Sequence, residues 1–295
     1  MYWINYTGGP RLTMQTIQSV AEMQQWSSVQ KRSGRRIGLV PTMGFLHNGH
    51  LSLVRQARQE CDLVVVSIFV NPMQFGVGED FEDYPRDLTR DCALLEQEQA
   101  DVVFAPTVKD MYPHGYSSFV EVEGEITAKM CGASRPGHFR GVTTVVSKLF
   151  HICQPDLAFF GQKDAQQAMI LEKMVRELNF PLKIVRVPIV REEDGLALSS
   201  RNVYLNPQER QEALVLSQSL RAARQLIMDG ERDVEKVKDF IRNIIATSPG
   251  AQIDYIELNK ADDLASLARI EGKVLMALAV KFGTTRLIDN LLVEV

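Results

Sequence analysis

The run Val64-Val65-Val66-Ser67-Ile68-Phe69-Val70 is apolar and β-branched on both parities. A strand with one wet face alternates. A strand without alternation is covered above and below, as in parallel sheets whose crossover helices lie on both faces. That one run restricts the chain to a small set of α/β architectures. Further strand candidates are Arg36–Val40, Val102–Ala105, Leu157–Phe160 and Leu182–Val187. Helical spacing lies between them: Leu51, Val54 and Ala57; Leu88, Cys92 and Leu95; the apolar Val142–Ile152; and Ala165–Leu178, which stops before Pro181. The pattern predicts a doubly wound, Rossmann-like parallel sheet. Ligands are then expected beyond the carboxyl ends of the strands, at a topological switch point.

The character changes near Pro188. Arg191-Glu192-Glu193-Asp194-Gly195 reads as a charged turn. Asn206-Pro207-Gln208-Glu209 carries an N-cap, a proline at the first helical position and a glutamate at the third. One helix is predicted from there to about Met228, and another over Val234–Ala246. Ile253–Leu258, Val274–Val280 and Arg286–Val293 alternate like antiparallel strands. The expected domains are a Rossmann-like unit over 1–188 and a smaller α+β lid over 189–295, hinged near 188. Residues 1–13 fit no pattern well and read as a leader or a disordered arm.

Composition narrows the function classes. A formal net charge of −4 argues against a general nucleic-acid surface. No apolar run approaches the ~20 residues that span a bilayer. Cys61, Cys92, Cys131 and Cys153 are widely spaced, with no Cys-x-x-Cys pair. They read as reduced thiols in a cytosolic enzyme, not as a disulfide framework or a zinc site.

The chemistry concentrates where strands end. Leu39-Val40-Pro41-Thr42-Met43-Gly44-Phe45-Leu46-His47-Asn48-Gly49-His50 runs from a strand into a helix. His47 and His50 share one face of a first helical turn. Their N–H groups, the charge of a protonated imidazole and the free amides of the helix start all suit phosphate oxygens. Gly44 and Gly49 are expected to let the backbone and a triphosphate approach closely. The same spacing suits a metal pair or two structural histidines. Asn71 and Gln74, after the central strand, offer uncharged amides for hydroxyls and carboxylates. Gly161-Gln162-Lys163-Asp164 repeats the strand-to-helix design, with Lys163 as a point charge and Gln167 one turn on. Asp164 can cap the helix, bind a ribose hydroxyl or help hold Mg²⁺. Leu198-Ser199-Ser200-Arg201 makes a compact oxyanion grip. Arg135-Pro136-Gly137-His138-Phe139-Arg140-Gly141 is a basic loop from which Arg135 can reach the site. The acidic stretch Gly76–Pro85 reads as a solvated loop.

Five ordered blocks, Pro41–His50, Val70–Phe75, Arg135–Gly141, Gly161–Gln167 and Leu198–Arg201, resemble the pantoate–β-alanine ligase family of the His-x-Gly-His nucleotidylyltransferase superfamily. The resemblance covers roughly Met14 to Val295. It implies that ATP activates pantoate as pantoyl adenylate with loss of pyrophosphate, and that β-alanine then displaces AMP to give pantothenate. It further implies an ATP site lined by Met43 to His50 and by Gly161 to Asp164. His50 would be the general acid, His47 and Lys163 would sit on the phosphates, and Val190 would lie near adenine. Leu198 to Arg201 would close the site, and Gln74 and Gln167 would grip pantoate. Mg²⁺ would accompany ATP, and the family is typically a cytoplasmic homodimer. Leu198, Gln162 and Ala165 stand where the family more often has methionine, glutamate and an aromatic. The rival readings are another nucleotidylyltransferase, which would retain the nucleotide in its product, and a non-catalytic nucleotide sensor or metal-binding module.

Overall fold

A computed structural model describes residues 13–295. The reading of residues 1–13 as a leader therefore falls, but for Thr13, outside the described residues. The first unit is a six-stranded sheet in the order β1-β4-β3-β2-β5-β6, parallel at every pairing. Its strands are β1 (Gln15–Ile17), β2 (Ile37–Thr42), β3 (Leu63–Ile68), β4 (Val102–Phe104), β5 (Leu157–Gly161) and β6 (Lys183–Val187). Helix α1 (Val20–Arg32) follows β1, α2 (Asn48–Glu60) joins β2 to β3, and α3 (Leu88–Gln97) joins β3 to β4. Three one-turn helices, α4 (Val108–Met111), α5 (Glu125–Ala128) and α6 (Cys131–Ser134), precede α7 (His138–Cys153), which returns the chain to β5. Helix α8 (Ala165–Glu177) links β5 to β6.

The both-parity reading of the central strand holds. Leu63 and Val65 enter the core beneath α1, α7 and α8, while Val64 and Val66 enter the core beneath α2 and α3. Right-handed crossovers explain the division. From β2 the chain winds one way through β3 and β4, then crosses back to β5 and β6 on the other side of β2. The strand order reverses between β2 and β5, and a crevice opens beyond their carboxyl ends. Strand β1 and helix α1 escaped the sequence reading. The strand has three residues, too few to show a period. The helix carries a weak N-cap, Ser19 Oγ accepting from Glu22 N at 3.4 Å.

The second unit is an antiparallel meander of β7 (Ala251–Lys260), β8 (Lys273–Phe282) and β9 (Thr285–Glu294). The single helix expected from Asn206 to Met228 is two, α9 (Pro207–Glu212) and α10 (Val215–Met228). The Asn206/Glu209 capping box forms as expected, but the chain re-starts at Ala213-Leu214. That step turns α10 so that it packs with α11 (Val234–Ile245) over one face of the meander. Strand β8 is buried on both faces. Val274, Met276, Leu278 and Val280 meet α10 and α11, while Leu275 and Ala277 pack with Ile126, Met130, Ala165 and Met169 of the first unit.

Candidate active site

The geometry at β2–α2 explains the His-x-x-His spacing. His47 is the N-cap of α2 and His50 its third residue, and the two rings form a reciprocal capping box. Gly49 N donates to His47 Nδ1 at 3.1 Å, and His47 N donates to His50 Nδ1 at 3.4 Å. An N-cap and its third residue are the pair that can satisfy each other's end of the helix, which fixes the interval. Both Nδ1 atoms accept, so each neutral ring carries its proton on Nε2. The ring centroids lie 4.1 Å apart and both rings line a cavity of about 220 Å³. Metal binding would need those nitrogens and a third ligand. Among the described residues no group of three or more His, Cys, Asp or Glu is placed to hold a metal ion.

One expectation changes here and another gains a second reason. Burial, reinforced by the Lys163 charge, lowers the His47 pKa to about 4; burial and the His47 charge push His50 well below its usual value. Before any phosphate arrives the pair is neutral and offers N–H dipoles instead of imidazolium charge. Gly49 lines the cavity and is also required locally: a Cβ there would lie 2.8 Å from His47 Cε1. The missing side chain makes room for the capping ring.

The second turn, β5–α8, stands across the switch point. Lys163, Asp164 and Gln167 all line the cavity and a contiguous one of about 820 Å³. Asp164 makes no side-chain capping bond to α8, so the plain N-cap reading does not describe it. Its carboxylate lies 3.9 Å from Lys163 Nζ. Gln166, next to Gln167, borders only the larger cavity and its amide is spent on structure, donating to the Ile126 and Lys129 carbonyls, both at 2.8 Å.

Gln74 reaches the cavity on a short 3-10 turn, Pro72–Gln74. Its Nε2 lies 3.1 Å from Met43 Sδ, and its Oε1 accepts from Asn71 Nδ2 at 3.2 Å. Asn71 also touches the cavity but is 1% exposed, and its amide is committed. Its Nδ2 further donates to Gly141 O at 3.1 Å, and its Oδ1 accepts from Tyr112 Oη at 2.8 Å. It holds the turn that carries Gln74. His138, absent from the expected set, does the same from α7. Arg135 Nη1 donates to His138 Nε2 at 3.1 Å, which leaves Nδ1–H to donate to Gln74 O at 2.8 Å. Burial, then the Arg135 charge, lowers the His138 pKa to about 4.

The acidic stretch is not simply solvated. Glu79 binds Arg135 through two hydrogen bonds of 2.7 and 2.5 Å, and Asp80 binds Arg201 through two of 2.9 and 2.8 Å. Burial would raise the Glu79 pKa, but Arg135 outweighs it and the carboxyl sits below its ordinary range. Both arginines line the cavities, yet their guanidinium forks face internal carboxylates. Sequence reading could not pair them, because the partners lie 56 and 121 residues apart. Val190, Leu198, Ser199 and Ser200 complete the wall, with Ser200 Oγ donating to Phe45 O at 3.2 Å. Gly44, Phe45, Leu46, Asn48 and Gln162 line neither cavity; they shape the turns behind it.

A family profile described as pantoate-beta-alanine ligase matches residues 15–292. The chain belongs to the pantoate–β-alanine ligase family. It is 65% identical over 282 residues to a pantothenate synthetase of Syntrophomonas wolfei subsp. wolfei, covering 96% of this chain and 100% of the relative. It is 58% identical, with the same coverage, to a pantothenate synthetase of Heliobacterium modesticaldum. The crystal structure of a Thermus thermophilus pantothenate synthetase superposes with a TM-score of 0.90 at 47% identity, covering 94% of this chain and 99% of that one. A Francisella tularensis pantoate–β-alanine ligase complexed with β-γ ATP and β-alanine superposes at 0.76 with 35% identity, covering 95% and 97%. As a ligase of this family the chain has its two cavity-lining turns, β2–α2 and β5–α8, on the two strands that flank the reversal of sheet order.

Proposed function

We propose that the cavity condenses pantoate with β-alanine at the expense of ATP, through enzyme-bound pantoyl adenylate. The observation that carries this is the pairing of two kinds of wall. One holds anions: the α2 N-terminus, two imidazole Nε2–H groups and Lys163. The other holds a small polar acid without charge: Gln74 and Gln167 beside Met43. A phosphorylated acceptor would want cations where these glutamines stand.

In this reading the pantoate carboxylate oxygen attacks the α-phosphorus of ATP. The bond to the bridging oxygen breaks, and negative charge builds on the departing pyrophosphate. Donors already aimed at that position stabilise the charge without reorganising. His50 and His47 supply N–H donors, Lys163 supplies a fixed charge, and the approach of phosphate draws the histidine pKa values back up. The β-alanine amine then attacks the acyl carbonyl, and AMP leaves with the bonding pair. Most of the rate comes from positioning and charge stabilisation. Gln74 and Gln167 orient pantoate, Val190 sits at the adenine, and Leu198 to Arg201 cover the polyphosphate. Arg135 and Arg201 take part by exchanging their internal carboxylates for substrate oxygens. Asp164 is one carboxylate beside the phosphate position, which suits a Mg²⁺ held chiefly by phosphates and water. The ion would neutralise phosphate charge.

We place the domain boundary at Pro188, just after β6 ends, with 189–295 closing on the crevice. A cytoplasmic homodimer is the assembly proposed; the four free cysteines suit a reducing compartment. The test is to incubate the protein with ATP, Mg²⁺, pantoate and β-alanine and to measure AMP and pantothenate. Both should appear only when pantoate is present. A product that retains the nucleotide, or no AMP above the pantoate-free control, overturns the proposal.

A further inference from the structure

The turn that delivers His47 to the cavity is held by a side chain that lines neither cavity. Gly44 and Phe45 follow one another in the left-handed region, with φ of 83° and 49°. Glycine adopts that conformation freely; for phenylalanine it costs on the order of 1–3 kcal/mol and persists only when the surroundings impose it. The surroundings here are the first turn of α3. The Asp91 side chain is 1% exposed, and its two oxygens accept the amide protons of Phe45 and Leu46, each at 2.7 Å. Arg90 closes the other side. Its guanidinium stacks over the Phe45 ring at 5.0 Å, and Nη2 donates to Leu46 O at 2.9 Å. A Cβ on Gly44 would lie 3.0 Å from Asp91 Oδ2 and 2.9 Å from Ile68 Cγ2, so the backbone is seated directly on the carboxylate. Leu46 is followed directly by His47, the cap of α2.

We propose that Asp91 is a positioning residue for the adenylation step, setting both imidazoles through the turn it holds and touching no substrate itself. The proposal rests on the function above only for what the rings bind. Two N–H groups one residue apart each need an acceptor. A carboxylate has two equivalent oxygens, whereas an amide has one and turns a donor toward the second N–H. Substituting asparagine leaves a buried amide unpaired, and the turn relaxes away from it. His47 begins where that turn ends, so any relaxation moves the capping ring and, through the capping box, the His50 ring. Misplacement near 1 Å at reacting groups costs about 10²-fold in rate.

The test uses the full-length enzyme with Asp91→Asn and reads the two half-reactions separately. Pyrophosphate release from ATP and pantoate, without β-alanine, should fall by about 10- to 100-fold, with a raised KM for ATP. Pantothenate formation from supplied pantoyl adenylate and β-alanine should keep its wild-type rate. Wild-type pyrophosphate release in the variant, or equal slowing of both steps, overturns the proposal. Gly44→Ala presses on the same turn and should give the same split if the aspartate variant does not fold. A third readout needs no activity: the ¹⁵N–¹H spectrum of the histidine rings without substrate. The Nε2–H signals of His47 and His50 should shift in the Asp91 variant, and unmoved signals overturn the proposal. A wild type that releases no AMP would overturn the function and leave this readout standing.

Discussion

At the scale of single residues the site joins structure and chemistry in the same atoms. Each of His47 and His50 uses Nδ1 to cap α2 and leaves Nε2–H for the cavity. His50→Ala should lower kcat for AMP release by about 10²-fold, the usual loss for a proton-donating group in the site. Unchanged turnover would remove His50 from that role. The cap also contributes to stability, so the variant should lose about 1 kcal/mol of unfolding free energy and unfold at a lower urea concentration. Acid sensitivity follows from the neutral rings. Folding lowers His47 and His138 from 6.5 to about 4, so the unfolded chain binds protons more readily than the folded one. Their contribution is complete above pH 6.5 and is lost as pH falls toward 4. Urea midpoints measured from pH 7 to pH 4 should decline through that window. The decline should be shallower in His138→Asn, and a flat wild-type profile would contradict the neutral assignment.

At the scale of elements, close backbone approaches decide what can sit where. Helix α7 lies so near the Gln74 turn that a Cβ on Gly141 would fall 2.1 Å from Met73 O. Backbone on both sides leaves nothing flexible to yield. Gly141→Ala should therefore destabilise the protein by about 1–3 kcal/mol in urea unfolding and raise the KM for pantoate. A neutral effect on both would show that the turn can shift freely. The sequence made the strand-to-helix junctions legible, because a both-parity apolar run, a glycine and a following helical period coincide at Pro41–His50 and again at Phe160–Gln167. It did not reveal Asp91 as a site residue. Asp91 sits one helical turn before Leu95 on the apolar stripe of α3, so a charged side chain had to be buried there. That conflict was the available signal. Nothing local could pair Glu79 with Arg135 or Asp80 with Arg201, since those pairings exist only once the sheet has brought distant loops together.

At the scale of the whole molecule, the small meander reaches back to the β5–α8 turn at the cavity. Asn290 on β9 donates to the carbonyls of Gln162 and Lys163, both at 2.9 Å, and its neighbour Asp289 holds Arg191 through bonds of 2.6 and 2.8 Å. The Asp289 side chain is 1% exposed, and removing it leaves the Arg191 guanidinium, 24% exposed, with only its bond to Gly195 O at 3.1 Å among the described residues. Asp289→Ala should cost about 1–3 kcal/mol, as losing the partner of a hydrogen-bonded group does, and should lower the affinity for ATP in calorimetric titration. Unchanged stability would mean that the guanidinium finds water instead. The outline of this unit was readable as alternating strands, but β8 read as a strand with one wet face. Its second face is dry because Leu275 and Ala277 rest on Met169 and Ala165. That shared seam makes the two sheets thermodynamic partners. A chain cut at residue 188 would expose an oily strip on α8 and should aggregate rather than persist as a smaller enzyme. Heating the intact protein should give one calorimetric transition, since each sheet covers an apolar face of the other along that seam.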